Sequence, residues 1–174
     1  VARLKLSGNF PCGRISRDND GQAPWLPGKD FSAWIPLCES FEKSQALTEI
    51  DVSECYLGPE ALPPLAKAIK FMGAVARLSL SGNMITGSEQ VSERRRRVWK
   101  YDLDLSGLIS LCDALLTLKN PIELDLSNCG LSVNGVNPVA KAISAGAAVA
   151  SMTLDDNKTI GATGADSLME SICT

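Results

Sequence analysis

Apolar residues recur along this chain in a rhythm that changes period. Over Leu47, Ile50, Val52, Leu57, Leu62, Leu65 and Ile69 the spacing starts as a short alternation and then opens into threes and fours. Ile50 to Ile69 are matched, position for position, by Leu124, Leu126, Leu131, Val136, Val139 and Ile143. Alternation puts side chains on one face of a strand, whereas threes and fours trace one face of a helix. Each stretch therefore predicts a short strand followed by a helix.

The polar positions repeat as well. VARLKLSGN at Val1–Asn9 returns as VARLSLSGN at Val75–Asn83 and, after the same step, as VASMTLDDN at Val149–Asn157. A second line, LTEIDVSEC at Leu47–Cys55, returns as PIELDLSNC at Pro121–Cys129. Strand lines thus begin at 1, 47, 75, 121 and 149, with spacings that alternate between 46 and 28 residues. In the longer units Trp34, Leu37 and Phe41, and then Leu108, Leu111 and Leu115, hold the helix positions, so the extra residues form insertions at about 12–30 and 86–104. Units of this size bury their apolar faces only against their neighbours. The expectation is a single α/β solenoid domain over 1–174, with a parallel sheet on a concave face, helices on a convex face, and Leu4, Ile50, Leu78, Leu124 and Met152 in one row.

The frame LxxLxLxxN/C followed by a helical segment resembles the ribonuclease-inhibitor class of leucine-rich repeats. Asn9, Cys55, Asn83, Cys129 and Asn157 at the strand ends resemble its alternating Asn-type and Cys-type repeats, and NKTIGATGADSL at Asn157–Leu168 resembles its helix-start motif with one extra residue. The resemblance implies a leucine-rich-repeat horseshoe that binds another protein. It leaves three functions open: an interaction scaffold, an activator of small GTPases, and the sensor segment of an immune-type receptor. The insertion in every second repeat departs from the class.

Charge and composition narrow these choices. A net charge of −3 and an isoelectric point near 5.0 supply no field for a polyanion, which argues against nucleic acid as partner. The longest apolar stretch, Ala142–Leu154, is too short to span a bilayer, so no membrane is expected. The chain opens on a strand line with no initiator Met, which suggests a piece of a longer protein. With no histidine the usual triad base and the commonest metal ligand are missing, so neither an enzyme nor a cofactor or metal site is expected. Six cysteines without a CxxC pair read as packed, reduced thiols, with Cys12 and Cys173 the candidates for exposed redox chemistry. Reduced thiols imply the cytoplasm.

Two surfaces remain as candidate partner sites. Stacked strands align Arg3, Glu49, Arg77, Glu123 and Ser151 in one column, and Lys5, Asp51, Ser79, Asp125 and Thr153 in the next. The columns either form a self-neutralising ladder that fixes register or offer a polar binding face. The insertions carry Trp25 and Trp99 at the same offset, and the second adds the run Arg94, Arg95, Arg96 and Arg97. Each Trp either anchors its loop or serves as an interaction hot spot. The arginine run reads as a solvated loop tip, with a nuclear-import signal, a contact regulated at Ser92 and an acidic partner as alternatives. Ser32 and Ser106 are expected to cap the helices that follow the insertions.

Overall fold

The structure, a computed structural model, describes residues 2–16, 25–93 and 96–172. Five strands, β1 (Ala2–Lys5), β4 (Leu47–Asp51), β5 (Arg77–Ser79), β8 (Ile122–Asp125) and β9 (Val149–Thr153), form one sheet in that order, and every neighbouring pair is parallel. Each is followed by a helix: α1 (Trp34–Glu42), α2 (Leu62–Phe71), α3 (Ser106–Leu115), α4 (Val133–Ser144) and α5 (Gly161–Ile172). Consecutive helices pack against one another, as parallel crossover units require. The chain is thus an α/β stack of strand–helix coils, a solenoid of the leucine-rich-repeat kind.

Register fixes the core. Leu4 lies opposite Ile50, Ile50 opposite Leu78, Leu78 opposite Leu124, and Leu124 opposite Met152, so one apolar row runs through all five strands. The three central members are buried, while Leu4 and Met152 at the ends are only partly covered. A second apolar line, Val52, Leu80 and Leu126, is fully buried where the strands turn. Trp34 on α1 is also fully buried, and its indole Nε1 donates to Ala61 O at 2.8 Å, which leaves the polar end of the ring satisfied inside the core.

The alternating Asn and Cys lines act together in the turns. Asn83 Oδ1 accepts from Cys55 N at 3.0 Å and Leu57 N at 2.9 Å, while its Nδ2 donates to Val52 O at 2.9 Å and Leu80 O at 2.7 Å. Asn157 repeats this arrangement toward Cys129 and Leu131. Each buried asparagine therefore satisfies backbone groups of its own turn and of the turn before it, which a buried turn requires. Asn157, in the sequon at 157–159, is committed to this role and buried.

Both insertions form antiparallel hairpins rather than plain loops. The first pairs β2 (Arg14–Ile15) with β3 (Leu26–Pro27), and the second pairs β6 (Glu89–Glu93) with β7 (Arg96–Lys100). The helix caps also differ from the serine expectation. Ser32 and Ser106 do not lend their side chains as caps; instead Asp30 Oδ1 accepts from Ser32 N at 3.0 Å and Asp104 Oδ1 from Ser106 N at 2.9 Å. Hydrogen bonds from these serines hold both carboxyls below the ordinary aspartate range. The sequence offset alone could not choose between two polar residues separated by a single position.

Candidate functional site

The outer face of the sheet carries the predicted columns. In register, Arg3 faces Glu49, Glu49 faces Arg77, Arg77 faces Glu123, and Glu123 faces Ser151. Arg3 Nε lies 3.1 Å from Glu49 Oε2, and Arg77 Nη1 lies 3.7 Å from Glu123 Oε2. In the neighbouring column Ser79 Oγ donates to Asp125 Oδ2 at 3.2 Å. Asp51 and Asp125 turn a carboxylate oxygen to their own turns, where Ser53 Oγ and Ser127 Oγ donate at 2.6 and 2.7 Å. Lys5 lies opposite Asp51 without an ion pair between them. Most of the charge on this face is consumed inside it, and each exposed pair contributes about 0.2–1 kcal/mol.

The two insertions diverge although they occupy the same place in the repeat. In the first, the Arg14 guanidinium carbon sits 4.3 Å from the Phe10 ring centre and 4.1 Å from that of Trp25, so the cation is held between two aromatic faces. Phe10 meets Tyr56 edge-on at 5.4 Å. Trp25 is thereby tied to the body of the solenoid through Arg14. In the second, Trp99 stacks on Tyr101 with centres 6.1 Å apart and remains 43% exposed, next to Val98 at 41%. Arg96 begins β7 opposite Glu93 and is exposed. Arg97 follows on β7, and Arg94 and Arg95 lie outside the described residues.

A polar clasp holds the second hairpin in place. Asp102, just beyond β7, accepts through Oδ2 from Ser132 N at 3.1 Å, Gly135 N at 2.8 Å and the Ser132 hydroxyl. Its carboxylate thus sits on the amides that open α4, where unpaired donors and the helix dipole favour a negative charge. Gly135 has to be glycine, since a Cβ there would lie 2.5 Å from Asp102 Oδ1. Asp102 N donates to Ser88 Oγ at 3.0 Å, and Ser88 Oγ donates on to Gly130 O at 2.8 Å. The repeat pattern singles out none of Asp102, Ser132 and Ser88. Their signal was departure from the repeat, because the same positions of the first copy are Gly28, Gly58 and Arg14.

Under the hairpin this clasp leaves a cleft of about 340 Å³ lined by Met84, Trp99, Tyr101, Asn128, Asp156 and Lys158. It opens beside the turns that follow β5, β8 and β9, with an aromatic wall on one side and a mixed-charge rim on the other.

The thiols of the five described cysteines are all buried. Cys12, expected to be exposed, is fully buried beneath the first hairpin, where burial and the neighbouring Cys55 and Asp30 push its pKa up to about 12. Burial likewise raises Cys38, Cys112 and Cys129 to about 12 and Cys55 to about 11. Cys173, the other redox candidate, lies outside the described residues. Among the described residues no group of His, Cys, Asp or Glu could hold a metal ion, and no helix is long and apolar enough to cross a membrane.

Neither a protein-family model nor a curated protein sequence matches the chain. Solved structures do. The chain is similar to the tropomodulin C-terminal domain of Caenorhabditis elegans, with 12% identity and a TM-score of 0.58 over 81% of this chain and 74% of that one. It is also similar to the actin-binding site 2 of leiomodin-1, with 14% identity and a TM-score of 0.63 over 98% of this chain and 78% of that one. These likenesses correct the assignment to the ribonuclease-inhibitor class with alternating repeats. The Asn and Cys positions that suggested that class are the two halves of one turn-to-turn hydrogen-bond unit, a solution to buried backbone that does not distinguish one class of stacked coils from another. At such identities the likeness is one of fold: the chain shares its leucine-rich-repeat-like architecture with the tropomodulin C-terminal domain and the leiomodin-1 segment.

Proposed function

We propose that this chain is a non-enzymatic, intracellular protein-binding module, one domain of five coils, that meets its partner through hairpin β6–β7 and the cleft beneath it. The observation that carries this reading is Trp99, a large aromatic side chain 43% exposed on a hairpin that Asp102 fixes to α4. A half-exposed tryptophan stacked on a tyrosine and held in place is the chemistry of an interaction hot spot, and fixing it in advance lowers the entropy cost of association. The sheet face, whose charges largely neutralise one another, serves to hold register. Similarity to the leiomodin-1 actin-binding site 2 over nearly the whole chain makes actin the first partner to test.

The test is sedimentation with filamentous actin together with fluorescence titration of monomeric actin. Saturable binding by either form is expected, weakened about 30-fold by Trp99→Ala and little affected by Trp25→Ala. Binding that Trp99→Ala leaves unchanged would remove the hairpin from the contact. Binding to neither form would remove actin as the partner.

A further inference from the structure

The two hairpins match closely enough for the first to show what fits beneath the second. Their registers coincide, since Glu89 lies opposite Lys100 as Ile15 lies opposite Leu26, at the same places of the repeat. Beyond them, Asp104 N donates to Thr86 O at 3.0 Å as Asp30 N donates to Cys12 O at 3.2 Å. Trp99 therefore occupies the place of Trp25, Met84 that of Phe10, and Ser88 that of Arg14.

In the first half these three places form a closed sandwich. The Arg14 guanidinium carbon lies 4.3 Å from the Phe10 ring centre and 4.1 Å from that of Trp25. In the second half their counterparts, Met84, Ser88 and Trp99, line the cleft of about 340 Å³. Ser88 is too short to reach over the indole, and its hydroxyl is engaged with Gly130 O at 2.8 Å and Asp102 N at 3.0 Å. The ring that Tyr56 lends to the first half has a substitute: Gly130 stands at the Tyr56 place, and Tyr101 Cδ1 lies 4.0 Å from where a Cβ on Gly130 would be. Tyr101 also stacks on Trp99 with centres 6.1 Å apart. The second half thus keeps the aromatic wall and lacks the cation that the wall holds in the first.

The rim decides which cation fits. Asp156 and Lys158, both exposed, stand at the places of Gly82 and Met84 and offset one another in charge. Selection therefore falls on shape more than on net charge. A guanidinium is flat and weakly hydrated and lies well on an indole face, whereas an ammonium is compact and strongly hydrated.

We infer that the cleft receives an arginine side chain of the partner protein, its guanidinium stacked on Trp99 as that of Arg14 is stacked on Trp25. This rests on the reading that the partner meets the β6–β7 hairpin, and it names what that contact takes in. Asp156 supplies a carboxylate at the mouth.

The probe is the peptide acetyl-Gly-Arg-Gly-amide, titrated into isotope-labelled protein and followed by amide and indole NMR shifts, with the corresponding lysine and citrulline peptides beside it. Saturable shifts are expected at Trp99, Tyr101 and Asp156, with Trp25 unmoved because Arg14 already covers it. The arginine peptide is expected to bind about fivefold more tightly than the lysine peptide and about tenfold more tightly than the citrulline peptide. Trp99→Ala is expected to abolish the response, Trp99→Phe to keep part of it, and Asp156→Asn to weaken it about twofold. Absence of saturable shifts, equal affinity for the three peptides, equal shifts at Trp25, or a response that survives Trp99→Ala would each overturn the proposal. Such a failure beside actin binding that Trp99→Ala still weakens would strike out the arginine alone and leave the hairpin contact standing.

Discussion

The two halves of this molecule place a hairpin at the same point of the same repeat and secure it by opposite means. The first half uses an aromatic sandwich: Arg14 lies between Phe10 and Trp25, and α2 starts from Gly58 through a short 3-10 turn at Pro59–Ala61 without a side-chain cap. The second half uses a polar clasp: Ser88, Asp102 and Ser132 replace Arg14, Gly28 and Gly58, and the carboxylate caps α4 from outside the helix. The consequence is carried by the tryptophans. Trp25 is spent on its own half, whereas the clasp relieves Trp99 of any anchoring duty and leaves it facing solvent. Repetition thus specifies where a hairpin emerges, and the departures from repetition specify what it is free to do.

Alkali is expected to produce the largest effect, and it acts on the frame both halves share. Thiols that ionise near pH 9.0 when exposed hold their protons to about pH 11 or 12 in the fold. Between those limits the unfolded chain binds fewer protons than the folded one, so stability is fully present below pH 9.0 and falls as pH rises through the window. The urea midpoint should drop steadily above pH 9.0, and Cys12→Ala, removing a thiol that is Thr86 in the second half, should shallow the slope.

Next in size is Leu78→Ala in the centre of the apolar row, expected to cost about 3–4 kcal/mol in urea unfolding and to loosen both hairpins together. Asp102→Ala should cost about 2–3 kcal/mol, because it strands the amides of Ser132 and Gly135 at the start of α4. Amide exchange should then quicken at β6–β7 and the first turn of α4 while β2–β3 stays as it was, and quickening at both hairpins would erase the distinction between them. Arg14→Ala, its counterpart in the first half, should cost about 1 kcal/mol and quicken exchange at β2–β3 alone. Smallest of all, Trp99→Ala should change stability by less than about 0.5 kcal/mol.

What could be read from the sequence follows the same division. The strand lines, the row from Leu4 to Met152 and the helix faces were legible because apolar spacing repeats and a slip of one residue would turn every side chain to the wrong face. The pairing of Arg3 with Glu49 and Arg77 with Glu123 followed from that register. The hairpins were legible only as extra length, since residues inside them have no frame to be measured against. For that reason Cys12 was expected at the surface and lies in the core, and the basic run was expected on a loop although Arg96 and Arg97 belong to β7. The clasp was invisible for a further reason: its residues are adjacent only after the second hairpin folds back over α4, a contact between Asp102 and Ser132 that no periodicity encodes. The resemblance that named a repeat class rested on Asn and Cys turns, whose chemistry reports the demands of stacked backbone and not descent.

The most direct test of the contrast is photo-crosslinking from similarly exposed positions on the two hairpins, with a benzoylphenylalanine placed at Val98 on the second and at Ile15 on the first. With the partner present at saturating concentration, the account predicts strong crosslinks from position 98 and background yield from position 15. Equal yields, or crosslinks only from position 15, would contradict it.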